Sequence, residues 1–79
     1  MGKNIINIAL FGLGRIGRMH AENLINHPEF NLKYIFDLDE NLTKKLSKKY
    51  QCIAIKDPNI AFKDKNIKSI FIATSTNTH

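Results

Sequence analysis

Short apolar runs alternate along the chain with stretches in which apolar residues recur about every three or four positions. The runs are rich in β-branched residues, which favour strands, whereas the recurring pattern is typical of helices that bury one face. The runs predict strands at residues 5–11, 32–37, 52–55 and 69–73. The stretches between them predict helices at residues 15–27, 40–50 and about 58–63.

Residues at the ends of the predicted helices agree with this division. Pro28 disfavours helical geometry at His27 and so ends the first helix there. The side chain of Asp39 can cap the second helix, and Pro58 suits the first position of the third, where a missing N–H costs nothing. The helix faces predicted to be buried comprise Gly17, Ala21, Leu24 and Ile25 in the first helix, and Leu42, Leu46 and Tyr50 in the second.

The order of these elements defines the fold class. Strands that alternate with helices imply an α/β fold with a parallel sheet and right-handed crossovers. In a doubly wound layout the strands lie in the order 3-2-1-4, with helices on both faces of the sheet. The sequence therefore predicts a partial Rossmann fold built on a parallel sheet of about four strands.

Three glycines follow the first predicted strand, in the segment GLGRIG that begins at Gly12. Gly12 permits a tight turn, Gly14 lets a phosphate approach the backbone, and Gly17 lets the helix pack closely against the strand. The N–H groups near Arg15 and Ile16 would point at the phosphate oxygens of a dinucleotide, at the positive end of the helix. Glycine triplets also occur in ordinary turns, so the motif by itself leaves both interpretations open.

An acidic residue at the expected position favours the dinucleotide. Asp37 ends the second predicted strand, about 20 residues after Gly17. A carboxylate there accepts hydrogen bonds from the ribose hydroxyls of adenosine and repels a 2′-phosphate, and the next residue, Leu38, is not a cation. Because Asp39 is better placed to cap the following helix, Asp37 is expected to be free for the ribose. The sequence thus predicts NAD as the cofactor, with NADP less favoured.

Composition and charge argue against several other classes of protein. The 79 residues allow one small domain, and no apolar run is long enough to span a membrane. The net charge of +5 comes mostly from lysines spread along the chain, so nucleic acid is not an expected partner. The one cysteine, Cys52, excludes an internal disulfide and fits a reducing, cytoplasmic compartment. His20 and His27 have no cysteine or carboxylate partner in the pattern, so no metal site is expected.

Four segments resemble the N-terminal part of the Gfo/Idh/MocA oxidoreductases, which include glucose–fructose oxidoreductase and inositol 2-dehydrogenase. They are GLGRIGRMHAENL, DLDENLTKKLSKKY, the Asp57-Pro58 region and SIFIATSTNTH, in the family's order and spacing. The Ala-Thr-Ser turn in the last segment, with Ser75 where proline is usual, resembles inositol 2-dehydrogenases in particular. The resemblance implies an NAD-dependent enzyme that takes a hydride from a hydroxyl-bearing carbon of a sugar or polyol.

The resemblance also implies roles for individual residues. Asp37 would bind the adenosine ribose. The pyrophosphate loop would comprise Gly12, Gly14, Arg15, Ile16 and Gly17. The turn that lines the cofactor toward its nicotinamide end would comprise Thr74, Ser75, Asn77 and His79. Glyceraldehyde-3-phosphate dehydrogenases have a similar glycine loop, but this sequence lacks their Ser-Cys-Thr-Thr-Asn nucleophile segment.

The family's catalytic residues are not in this sequence. They are a lysine in a Glu-Lys-Pro motif and an acid and a histidine from a second, substrate-binding domain. Residues 1–79 are therefore expected to be an incomplete N-terminal NAD(P)-binding domain, without the C-terminal substrate domain and inactive by itself. Two alternatives stay open: a non-catalytic nucleotide-binding or interaction module, and a non-functional remnant. In a domain that is incomplete in this way, Ile70, Phe71 and Ile72 lie on an exposed edge strand. Self-association through this fourth predicted strand is therefore expected.

Overall fold

Strands and helices follow one another in the order that the sequence predicts. The computed structural model of the protein describes residues 5–73. Its strands are β1 (Ile6–Phe11), β2 (Phe30–Phe36), β3 (Ile53–Ala54) and β4 (Ile67–Ile72), and its helices are α1 (Arg15–Ile25), α2 (Glu40–Tyr50) and α3 (Asn59–Lys63).

Strand β1 lies in the interior of the sheet. It pairs in parallel with β2 on one side and with β4 on the other, and β3 pairs with the outer side of β2. The resulting order, β3-β2-β1-β4, is the predicted one. Because β1 has a neighbour on each side and a packed face above and below, its residues from Ile8 to Phe11 are all buried. This position explains the uninterrupted apolar run.

Helices cover both faces of the sheet, as predicted. On one face, α1 and α2 enclose a core cluster with β1 and β2, which comprises Ile8, Leu10, Leu13, Ala21, Leu24, Leu32, Ile35, Leu46 and Tyr50. On the other face, α3 covers a smaller cluster of Ala9, Phe11, Ile55 and Ala61. There the ring of Phe11 makes edge contacts with the rings of Phe36 and Phe62, at centroid distances of 5.5 and 5.7 Å.

Several element boundaries differ from the prediction; β4, for example, begins at Ile67 and not at residue 69. Helix α1 ends at Ile25, before His27, because the N–H of His27 bonds to the carbonyl of Leu24 at 3.2 Å in a closing turn. Ile25, predicted to be buried, lies at this end and is 43% exposed. Strand β2 begins at Phe30 and not at residue 32, since pairing with β1 extends beyond the most apolar stretch. Pro58 precedes α3 instead of forming its first residue.

A charged cluster ties the end of α3 to β2. One carboxylate oxygen of Asp64 accepts hydrogen bonds from the ammonium of Lys33 at 2.6 Å and from the hydroxyl of Tyr34 at 2.7 Å. Lys33 and Tyr34 are consecutive, and consecutive strand residues ordinarily point to opposite faces of a sheet. The register of β2 shifts at Lys33, between the partners of Ile8 and Ala9, and at this irregularity both side chains reach Asp64. The bonds from Lys33 and Tyr34 hold the pKa of Asp64 at about 2. The bond to Asp64 in turn raises the pKa of Lys33.

Loss of this cluster is expected to change the acid stability of the protein. The pKa of Asp64 is lowered from 3.8 to about 2 in the folded protein. The bonds therefore stabilise the fold above about pH 4, and their contribution is lost as the pH falls through about 2. Asp64→Asn should lower the Tm at neutral pH, and the difference from wild type should shrink below about pH 4. Thermal unfolding followed by circular dichroism across this pH range measures the effect.

A second aspartate provides the control for that experiment. The carboxylate of Asp57 accepts a local backbone bond from the N–H of Asn59 at 3.0 Å. Asp57→Asn should not reproduce the pH-dependent difference. If the Tm of Asp64→Asn differed from wild type by the same amount at every pH, the ionic contribution of the cluster would be contradicted.

Candidate functional site

The loop between β1 and α1 depends on two of its glycines. Gly12 has a φ of 98°, in the left-handed region that residues with a side chain rarely adopt. Its N–H donates to the carbonyl oxygen of Phe36 at 2.8 Å, which fixes the start of the loop to the end of β2. A Cβ on Gly17 would overlap the carbonyl oxygen of Gly12 and lie 2.8 Å from the carbonyl carbon. Helix α1 can therefore approach the loop this closely only with glycine at that position.

The first turn of α1 carries no side chain that would satisfy its N–H groups. Gly14 is the N-cap, and no acidic residue lies in the first turn. The first bond within the helix joins the N–H of Arg18 to the carbonyl of Gly14 at 2.9 Å, so the preceding N–H groups have no partner in the helix. A Cβ on Gly14 would meet no atom of residues 5–73 within 4 Å. Among these residues nothing fills the space beside the N-cap at the positive end of the helix, an arrangement suited to a phosphate.

Asp37 follows β2 and borders the glycine loop. Its Oδ2 atom accepts a hydrogen bond from the N–H of Leu13 at 2.7 Å, and its Oδ1 atom accepts one from the N–H of Asp39 at 2.9 Å. Asp39 caps α2, as predicted, by accepting a bond from the N–H of Leu42 at 3.1 Å. Asp37 is therefore free of the capping role, as expected, but its carboxylate is not without partners. Each of its oxygens already accepts a backbone bond, and one of these bonds comes from the glycine loop.

A cavity of about 330 Å³ lies beside Asp37, at the carboxyl ends of β2 and β3. Ligands of parallel sheets bind at this edge, and the volume is that of a small-molecule site. The lining includes Asp37, Leu38, Lys44, Ile55 and Lys56. Sequence reasoning missed this cavity because its walls come from α2 and from the end of β3, which local patterns do not place together.

Most of the predicted site residues lie together. The glycine loop and the first turn of α1 contain Gly12, Gly14, Arg15, Ile16 and Gly17, and Asp37 is bonded to this loop. Arg15 and Ile16 are both exposed. The remaining predicted residues, Thr74, Ser75, Asn77 and His79, fall outside the described residues.

Other candidate reactive groups occupy structural positions. The Cys52 thiol is half-buried, and burial raises its pKa to about 11, which disfavours the nucleophilic thiolate at neutral pH. The ring of His20 packs edge-on against Phe71 at 6.2 Å, and that of His27 packs against Phe30 at 4.5 Å. Within residues 5–73, no group of three metal-ligating side chains is present. No helix in the same range has the length and apolar character needed to cross a membrane.

The sheet order, the glycine loop that opens α1 and the carboxylate at the end of β2 define a dinucleotide-binding domain of the Rossmann type. The chain belongs to the Gfo/Idh/MocA oxidoreductase family: residues 6–79 match the family model described as an oxidoreductase family with an NAD-binding Rossmann fold. The family predicted from the four sequence segments is thus confirmed, as is the α/β fold.

Individual relatives agree with this assignment. Myo-inositol 2-dehydrogenase of Thermotoga maritima is 37% identical over 75 residues, which make up 94% of this chain and 22% of that protein. The crystal structure of a myo-inositol dehydrogenase from Corynebacterium glutamicum matches with a TM-score of 0.81 and 33% identity, over 91% of this chain and 22% of that one. GenD2 from gentamicin A biosynthesis, crystallised in complex with NAD, matches with a TM-score of 0.87 and 26% identity, over 96% and 22%. The chain therefore spans about a fifth of the length of these relatives.

Proposed function

We propose that this chain is the dinucleotide-binding part of an NAD-dependent dehydrogenase and that NAD binds at the loop between β1 and α1. The observation that carries the proposal is the 2.7 Å hydrogen bond between the N–H of Leu13 and Asp37. Asp37, proposed as the ribose acceptor, is thereby bonded to the residue that precedes the N-cap of α1, and no side chain among residues 5–73 caps that helix. Pyrophosphate and ribose are adjoining groups of a dinucleotide, so one ligand can contact both.

The first turn of α1 would hold the pyrophosphate. The N–H groups of Arg15, Ile16 and Gly17 lie at the start of the helix, where backbone donors have no partner in the preceding turn. Phosphate oxygens would reach them through the space beside Gly14, where no atom of the described residues lies within 4 Å of the position that a Cβ would take. The residues present therefore fit a diphosphate, and bound NAD would supply the hydride acceptor.

Asp37 would hold the adenosine ribose and select NAD over NADP. A carboxylate has about four acceptor positions, and two backbone N–H groups already use two of them. The remaining positions match the two hydroxyls of a ribose without a 2′-phosphate. The charge of Asp37 would repel that phosphate, and Leu38, which is 90% exposed, offers no cation to bind it. Lys44 and Lys56 line the same cavity and would attract a 2′-phosphate, so the preference for NAD over NADP depends on the charge of Asp37.

Replacement of Asp37 by alanine is expected to weaken NAD binding by about 10- to 100-fold, since hydrogen bonds to a charged group contribute about 1.5–3 kcal/mol. The affinity for NADP should fall less, because the variant also removes a repulsion. Isothermal titration of the 79-residue chain with each cofactor measures both affinities.

A neighbouring carboxylate provides the control. Glu40→Gln removes a charge from the same cavity without altering the loop, and an exposed charge of this kind should change the NAD affinity by no more than about twofold. No binding of NAD by the wild-type chain would contradict the proposal. Equal affinities for NAD and NADP would contradict the preference.

The whole protein is proposed to oxidise a hydroxyl of a sugar or an inositol-like polyol, as the names of the relatives suggest. The role proposed for the residues of this chain is to bind and orient the cofactor. Family resemblance supports a place beside the nicotinamide half for Thr74, Ser75, Asn77 and His79. We assign a catalytic role to none of the residues proposed for the site.

A second candidate function is an interaction through β4, and the exposure of its apolar residues favours it. Among the strands of residues 5–73, β4 pairs with β1 alone, so its outer edge carries unpaired backbone groups. Phe71 is 37% exposed and Ile72 is 66% exposed. We propose that the isolated 79-residue chain self-associates along this edge.

Ile72→Lys should shift the isolated chain toward monomer, because a charged side chain on an edge strand opposes pairing. Sedimentation velocity at roughly tens of micromolar, a range in which exposed strand edges associate, measures the shift. The matched control is Ile53→Lys on β3, the opposite edge strand, where the side chain is 53% exposed. A wild-type chain that sediments as a monomer would contradict self-association, and an equal effect of both variants would contradict its assignment to β4.

A further inference from the structure

We propose that Asp37 is a positioning residue for the pyrophosphate loop as well as the acceptor for the ribose, so that one carboxylate couples the two ends of the site. This inference rests on the proposed function, because the ligand of the loop is the pyrophosphate of the dinucleotide. It begins from the bond between Asp37 Oδ2 and the N–H of Leu13, the residue between Gly12 and Gly14.

The end of β2 holds two consecutive N–H groups of the loop. The N–H of Gly12 donates to the carbonyl oxygen of Phe36 at 2.8 Å, and the N–H of Leu13 donates to Asp37 at 2.7 Å. Leu13 is fully buried, with its side chain in the core cluster beneath α1. Its N–H would lose this acceptor if Asp37 were absent, and buried N–H groups without partners are rare and destabilising. The conformation that presents Gly14 to a phosphate therefore depends on the Asp37 carboxylate.

The orientation of this carboxylate is fixed from the other side as well. Its Oδ1 atom accepts a bond from the N–H of Asp39, which caps α2. An asparagine at position 37 offers one oxygen and one NH₂ group, so the NH₂ would face the N–H of either Leu13 or Asp39. Asp37→Asn can therefore keep the bond to Leu13 by turning its oxygen toward that N–H, whereas Asp37→Ala removes the acceptors of both bonds.

Inorganic pyrophosphate separates the positioning role from the contact with ribose, because this ligand has no ribose. Removing the negative charge of Asp37 should by itself favour the binding of an anion nearby. Loss of the bond that positions the loop should disfavour it. The two effects have opposite signs, so the direction of the change distinguishes them.

Titration of inorganic pyrophosphate against wild type, Asp37→Ala and Asp39→Asn tests the inference. Asp39→Asn removes the same charge close by, keeps the bond to Leu13, and retains an N-cap of equal quality. We expect this control to bind pyrophosphate at least as tightly as wild type. Asp37→Ala should bind it about tenfold more weakly, as expected for the loss of a charge-assisted hydrogen bond. Binding by Asp37→Ala as tight as that of Asp39→Asn would overturn the inference.

Hydrogen exchange in the unliganded wild-type chain tests the same bond without a variant that could fail to fold. The N–H of Leu13 should exchange at least about tenfold more slowly than that of Ile16, which lies in the uncapped first turn of α1. Equal exchange rates at the two positions would overturn the inference. Failure of the wild-type chain to bind NAD would contradict the proposed function but would not alter this comparison, so the two failures are distinguishable.

Discussion

Gly17→Ala is expected to destabilise the protein by about 3 kcal/mol or more, at the upper end of the range for overpacking. The new Cβ would overlap the carbonyl oxygen of Gly12. That oxygen belongs to the backbone, and Gly12 is held by its left-handed φ and by the hydrogen bond from its N–H to Phe36 in β2. The oxygen therefore cannot rotate away as the end of a side chain could. In a domain of this size the loss corresponds to a fall in Tm of roughly 12–24 °C. Thermal and urea denaturation of the variant measure it.

Gly14→Ala is the matched control for stability. It adds the same methyl group to the same loop, but at a position where no atom in the described part of the chain lies within 4 Å of the new Cβ. The stability should change by no more than about 1 kcal/mol, the usual effect of a poorer N-cap. If both variants unfolded at the same temperature, the close packing of α1 against the loop would be contradicted.

The same Gly14→Ala variant is expected to lose about a hundredfold in NAD affinity while it keeps the fold. The added methyl group would fill the space through which phosphate oxygens approach the first N–H groups of α1. Two charge-assisted hydrogen bonds weakened by this displacement account for about 3 kcal/mol. Isothermal titration with NAD, combined with the Tm of the free variant, separates loss of binding from loss of structure.

A larger side chain provides the contradicting test for that prediction. Gly14→Val should weaken NAD binding further, because its larger side chain fills more of the space through which the phosphate approaches. The variant should still fold, since the extended backbone of Gly14 accommodates a β-branched residue. Unchanged NAD affinity in Gly14→Val would contradict the assignment of the pyrophosphate to this loop.

Features that depend on neighbouring residues were predictable from the sequence. The order of the elements followed from the alternation of β-branched runs with helical spacing, and the sheet order followed from the doubly wound layout. The cap at Asp39 could be read from the residue type and its position. The position of the glycine loop and Asp37 at the same edge of the sheet also followed, because both come directly after parallel strands.

Features that depend on how distant segments meet in the fold were not predictable in the same way. The bond between Asp37 and Leu13 joins positions 24 residues apart, and only the actual approach of the loop to β2 creates it. The pair of Lys33 and Asp64 is 31 residues apart and involves a shift of register that no local pattern indicates. Ile25 matches the helical spacing of its neighbours, yet α1 ends at that residue and leaves it exposed. Long-range geometry, not propensity, decides these cases.

Titration of the ¹⁵N-labelled 79-residue chain with NAD, followed by amide resonances, tests the central claim most directly. Saturable shifts should be largest at the N–H groups of Leu13, Gly14, Arg15 and Ile16, with smaller changes near the cavity beside Asp37. Absence of saturable shifts, or largest shifts at the distant Lys33–Asp64 cluster, would contradict the account.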